Sequence, residues 1–221
     1  GCTSLASIDL PATLTSVGSH AFLHCSSLAA INLPAALTSI SRGAFSGCSS
    51  LTSVTFPAGL TSIGSLAFVR CSSLVSVAFP AGLTSIGDNA FEHCSTLSHV
   101  TLPAGLTSVG NSAFYRCSAL SSVTFPAGLT SIGDYAFRDC PLTSVTVPTT
   151  ATIGRAFSPA TTVLRLVVLP EGTTHLPDRA FQHRISLVSV AFPSSLVSIG
   201  NLAFDGCSSL ASIDLPASLI S

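Results

Sequence analysis

Cysteine recurs at intervals of 23 residues along this 221-residue chain, at Cys2, Cys25, Cys48, Cys71, Cys94, Cys117 and Cys140. Phe22, Phe45, Phe68, Phe91, Phe114 and Phe137 keep the same interval, as do Pro11, Pro34, Pro57, Pro80, Pro103 and Pro126. A fixed period of roughly 20–50 residues specifies a solenoid or a related array, and it overrides any two-domain reading from length. The whole of 1–221 is therefore expected to be a single rod. One unit, Leu60 to Gly82, reads LTSIGSLAFVRCSSLVSVAFPAG. Ten copies of its LxxΦxΦ segment begin at Leu5, Leu28, Leu51, Leu74, Leu97, Leu120, Leu142, Leu164, Leu187 and Leu210.

The unit folds on paper from its residues. Val77 and Phe79 alternate with Ala78, which is the period of a strand, and Pro80 ends it because proline cannot donate to a ladder. Leu83 and Ile86 point inward from a second extended piece. Gly87 permits a positive φ at the next corner, and Asp88 caps a short helical turn that turns Ala90 and Phe91 inward before Cys94 closes the rung. No single rung buries enough to stand alone, so stability must come from stacking on its neighbours. The expectation is an α/β solenoid of about ten rungs. A parallel sheet would occupy one face and short helical turns the opposite one.

The motif LxxΦxΦPxxLxxIGxxAFxxCxx resembles the BspA-like leucine-rich repeats, a 23-residue class, over nearly the whole chain. It lacks the asparagine that follows the strand in standard leucine-rich repeats, so that superfamily's amide ladder is expected to be missing. The resemblance implies a cell-surface or secreted protein that works in adhesion and protein–protein contact. Two rivals stand beside that reading: a structural linker inside a larger, membrane-associated assembly, and a hydroxyl array that binds ice or another surface. The third rests on repeated Thr-Ser pairs at Thr61-Ser62, Thr84-Ser85, Thr107-Ser108 and Thr130-Ser131.

Composition excludes several classes. Charged residues make up only 8% of the chain and the net charge is −1, so nothing attracts a nucleic acid. No run approaches the ~18 apolar residues of a membrane-spanning helix. The absence of methionine, even at position 1, marks a piece of a longer precursor, its ends covered by further repeats or another subunit. No nucleophile elbow, phosphate loop or C-x-x-C pair is present, so no catalytic residue, cofactor or metal is expected. The cysteines read as a column of buried thiols, because parallel positions about 4.8 Å apart suit disulfide geometry poorly. His20 and His24, four residues apart, read as a surface pair.

Charge collects on the turn edge, at Arg70, Asp88, Glu92, Arg116, Asp134, Arg138 and Asp139. The repeat then slips over residues 141–184. Pro126 to Pro148 and Pro148 to Pro170 are each 22 residues, Val163 and Arg184 replace cysteine, and Pro177 replaces the corner glycine. Arg155, Arg165, His175, Asp178, Arg179, His183 and Arg184 gather in this stretch. It reads either as a decayed repeat or as a docking patch for a protein partner, with arginines as anchors.

Overall fold

The computed structural model describes residues 1–148, 151, 155–157, 164–169 and 171–220. Two columns of parallel strands run along it. The first holds β1 (Ala30–Asn32), β3 (Ser53–Thr55), β6 (His99–Thr101), β8 (Ser122–Thr124), β10 (Ser144–Thr146), β11 (Leu166–Val168) and β13 (Ser189–Ala191). The second holds β2 (Ser39–Ile40), β4 (Ser62–Ile63), β5 (Ser85–Ile86), β7 (Ser108–Val109), β9 (Ser131–Ile132), β12 (His175–Leu176) and β14 (Ser198–Ile199). Within regular stretches the register follows the repeat, Val100 beside Val123 and Ile63 beside Ile86. Val54, Val100 and Val145 are buried while their strand neighbours face out, as the alternation requires.

Two expectations are corrected. The rod has about seven turns, not ten. The segments after Leu5 and Leu210 form no strand, and the one after Leu74 forms no continuous one: it has isolated bridges at Ser76 and Ala78 and backbone bonds from Val75 to Thr52 and from Ser98 to Val75. Copies of a motif count sequence, whereas a strand needs a paired backbone on its flank.

The second correction concerns the face opposite the first strand column, where no described residue is helical and the fold is a parallel β-solenoid. In the turn after Gly64, the N–H groups of Ala67, Val69 and Cys71 bond three residues back along the chain, to Gly64, Leu66 and Phe68. The N–H groups of Leu66, Phe68 and Arg70 instead donate to the next rung, at Asp88, Ala90 and Glu92. An α-helix would send every donor beyond its first turn four residues back along its own chain. Here half of them form a third inter-rung ladder, and residues with positive φ make the alternation possible, Leu66 at 63° and Arg70 at 59°. The spacing of Ala, Phe and Cys satisfies a helical turn equally well.

Corner glycines serve close approach rather than unusual φ. Gly64, Gly87, Gly110 and Gly133 have no positive φ, but a Cβ on Gly110 would sit 2.5 Å from the Asp88 nitrogen. Gly110→Ala should therefore cost about 1–3 kcal/mol, read as a lower denaturation midpoint. For the same reason Pro177 fits: no positive φ is needed, and its carbonyl accepts from Ala180 as Gly64 does from Ala67.

The core between the ladders is a set of one-residue columns. Phe22, Phe45, Phe68, Phe91, Phe114, Phe137 and Phe157 stack with centroids 5.2–5.8 Å apart. Beside them the thiols of Cys48, Cys71, Cys94, Cys117 and Cys140 donate to phenylalanine carbonyls at 3.1–3.2 Å. All eight cysteines are free, and all but Cys2 are buried.

Candidate interaction surface

Side-chain ladders decorate the outer rim. Thr61, Thr84, Thr107 and Thr130 each donate to the threonine carbonyl one rung back, at 2.8–3.1 Å. Their hydroxyl hydrogens are thus spent within the rod. A second ladder runs along the turn edge, at a position distinct from the post-strand asparagine of the standard repeats. Asp88 Oδ1 accepts from the Asn111 amide at 2.7 Å, Asn111 Oδ1 from Asp134 at 2.8 Å, and Asp134 Oδ1 from Arg155 at 2.9 Å.

On that edge the sequence builds a ridge. Tyr115 and Arg138 occupy the same repeat position one rung apart, and so do Arg116 and Asp139. Stacking brings their side chains into contact. Arg116 lies over Tyr115 at 5.1 Å, Arg138 over both Tyr115 and Tyr135 at 5.4 and 5.5 Å, and Arg155 over Tyr135 at 5.0 Å. The result is an alternating stack of three guanidiniums and two phenols. Asp139 lies 3.5 Å from Arg116, and Asp134 lies 3.0 Å from Arg155. Partial burial pushes the Asp134 carboxyl up, but the Arg155 amide and guanidinium outweigh it and hold the group below its usual range. Such contacts fix side chains that would otherwise lose rotamer freedom on binding.

The irregular stretch divides the residues expected there. Arg155, Asp178 and Arg179 come together around a depression of about 510 Å³, with Asp134, Asn201 and Leu202. The aspartate–asparagine ladder stops at this point, because Arg155 stands where the next acceptor would be, and it resumes from Asp178 to Asn201 at 2.6 Å. His183 lies on the same edge, exposed, 4.0 Å from Asp205. Arg165 and His175 stand apart from this group. Arg165 lines a smaller hollow of about 390 Å³ with Val188, and His175 bonds Ser198 at 2.7 Å. Arg184 is buried, 1% exposed, in the cysteine column. Burial lowers its guanidinium to about 10, while Cys207, Asp139 and Cys140 nearby favour the charge. It cannot serve as an exposed anchor. Val163 lies outside the described residues.

The sequence reading listed the ridge's charges and missed its tyrosines. The chain has only two, and both fall on this edge beside arginine. Among the described residues no cluster of three or more His, Cys, Asp or Glu side chains could hold a metal. No helix there is long and apolar enough to cross a membrane.

Short parallel strands in register, leucine and phenylalanine columns joined in most rungs by cysteine, and a period of 23 define a leucine-rich repeat solenoid. The chain belongs to the BspA type leucine rich repeat family, whose sequence profile matches residues 1–97, 38–162 and 154–221 in six copies. Solved structures resemble it throughout. A leucine-rich repeat protein from Bacteroides ovatus is 25% identical, with 100% of this chain and 75% of that one covered and a TM-score of 0.67. A leucine rich cell surface protein from Faecalibacterium prausnitzii is 28% identical over 97% of this chain and 69% of that one, with a TM-score of 0.63. The T. pallidum leucine rich repeat protein is 28% identical, covering 94% and 76% with a TM-score of 0.51. None of the curated proteins matches the chain.

Proposed function

We propose that this solenoid is a non-catalytic protein-binding module of adhesion type, displayed at a cell surface or secreted. Its contact surface is the ridge from Tyr115 to Arg155 with the adjoining Asp178 and Arg179. The alternating arginine–tyrosine stack carries the reading, since these two residue types dominate binding hot spots and here they are held in place before any partner arrives. The leucine rich cell surface relative supports the location. The test is photo-crosslinking with benzoylphenylalanine placed at Tyr115, against the same group at Val75 on the sheet face, in the presence of candidate surface-exposed proteins. A captured partner should bind Tyr115→Ala or Arg138→Ala at least about tenfold more weakly, a loss of ~1.4 kcal/mol or more. Undiminished binding by both variants would overturn the assignment.

A scaffold subunit inside a larger assembly is the second reading, and exposed Val75, Val188 and Val197 favour it. It predicts salt-insensitive self-association in light scattering, which the ridge does not.

A further inference from the structure

The three guanidiniums of the ridge are unequally provided for. Arg155 is bound to Asp134 three times, through its amide at 2.9 Å, Nε at 3.3 Å and Nη2 at 3.0 Å. Arg116 Nε reaches Asp139 Oδ2 at 3.5 Å. Arg138, between them, donates no side-chain hydrogen bond among the described residues. Its nearest carboxylate is again Asp139, 3.9 Å from Nε and closer to Arg116. The repeat explains the shortage. Glu92 occupies the same repeat position two rungs back, but Tyr115 stands between, and Glu92 accepts from Asn89 at 2.7 Å.

Burial fixes which end of Arg138 is available. Nε is buried without an acceptor, while 36% of the side chain is exposed. The two Nη groups are therefore the end that reaches solvent. The Tyr115 and Tyr135 rings, both half-buried, lie 5.4 and 5.5 Å from the Arg138 Cζ. Among the described residues neither phenol hydroxyl makes a hydrogen bond. Rings against a guanidinium displace water from it, and charge-assisted hydrogen bonds are stronger where water is excluded.

The centre of the ridge thus presents donors: two Nη groups and two phenol O–H groups. Its three arginines face two aspartates, Asp134 and Asp139, which leaves one positive charge in excess. The complement is an acceptor-only group with one negative charge. A guanidinium fork matches the two coplanar oxygens of a carboxylate, whereas a phosphate monoester brings nearly two charges. We infer that Arg138 is the ridge's anchor for a single aspartate or glutamate carboxylate of the protein partner, which accepts from both Nη groups end-on beside the Tyr115 and Tyr135 phenols. This rests on the ridge being the contact surface.

The probe is the tripeptide acetyl-Ala-Glu-Ala-amide, titrated into the whole chain while arginine side-chain signals are followed by NMR. Arg138 should saturate with a Kd at least tenfold below those of Arg116 and Arg155. Glutamine in place of glutamate should weaken binding at least tenfold. Arg138→Lys should do the same, because it keeps the charge and loses the fork. Tyr115→Phe combined with Tyr135→Phe keeps both rings and should weaken binding at least threefold. An unchanged denaturation midpoint shows that these variants remain folded. Silent Arg138 signals overturn the proposal, as does equal binding of the glutamine peptide, of methyl sulfate, or by Arg138→Lys. If Arg138 is silent while Tyr115→Ala still loses the crosslinked partner, the carboxylate assignment falls and the ridge stands. If the glutamate peptide binds at Arg138 while both alanine variants keep the partner, the ridge reading falls and the carboxylate site stands.

Discussion

Phe114→Ala should lower the unfolding free energy by about 3–5 kcal/mol, among the largest effects of any single truncation in this chain. Phe114 has no exposed surface, and its ring stacks on Phe91 at 5.4 Å and on Phe137 at 5.3 Å, within 8° of parallel. Its removal leaves a void that neither neighbour can fill, because each ring is fixed by its own rung's backbone. The inter-rung bond from Phe114 N–H to Ala136 holds that backbone at 2.8 Å. A solenoid is stabilised by neighbour interfaces, so the lesion weakens both interfaces of its rung. Denaturant titration should show a lower midpoint together with a shallower or two-step transition, as the rungs on either side begin to unfold separately. Phe22→Ala is the control: that ring is only half-buried and stacks on a single neighbour, Phe45, so its loss should cost distinctly less. Equal losses for the two variants, or a loss below about 1 kcal/mol for Phe114, would show that the column does not carry the rod.

The phenylalanine column was legible in the sequence because packing demands one side chain at one position in every rung. Period, core composition and post-strand prolines share that property, and so does the slip after Cys140. The turn was less legible. Ala90, Phe91 and Cys94 face inward in a helical turn and in an alternating ladder alike, and only the destination of the Asn89 and Phe91 N–H groups separates the two. Those donors go to Asn111 and Ala113 on the next rung, a contact that propensity along one segment does not encode.

The interaction surface divides in the same way. Arg155, Asp178 and Arg179 were found as a charge cluster and are neighbours in space. Arg184 was grouped with them by charge, yet it follows the buried cysteine register and turns inward. Tyr115 emerges only when successive copies are written beneath each other, which sets it above Arg138.

Alkali should dissolve the rod through its cysteine column. Burial pushes the Cys48 and Cys94 thiols up to about 12, and raises those of Cys71 and Cys117 well above the ordinary value. In the unfolded chain a thiol titrates near ~8.5. The folded state therefore holds these protons more tightly, and its advantage is complete below the unfolded pKa. As pH rises past about 9 the unfolded chain ionises first, and each buried thiol withdraws up to ~1.4 kcal/mol of stability per pH unit until its own folded pKa is reached. Because several thiols act together, the denaturation midpoint should fall steeply between about pH 9 and 11. Cys94→Ala lowers stability at neutral pH by leaving a small void, but it should flatten this alkaline slope by one thiol's share. Comparing slopes between wild type and variant isolates the share of this one thiol. In the native state at pH 8 only Cys2 should react with a thiol reagent, since it alone of the eight is exposed. A slope unchanged by Cys94→Ala, or rapid native labelling of several cysteines, would mean that the column is open to solvent and that the rungs separate far more readily than their ladders imply.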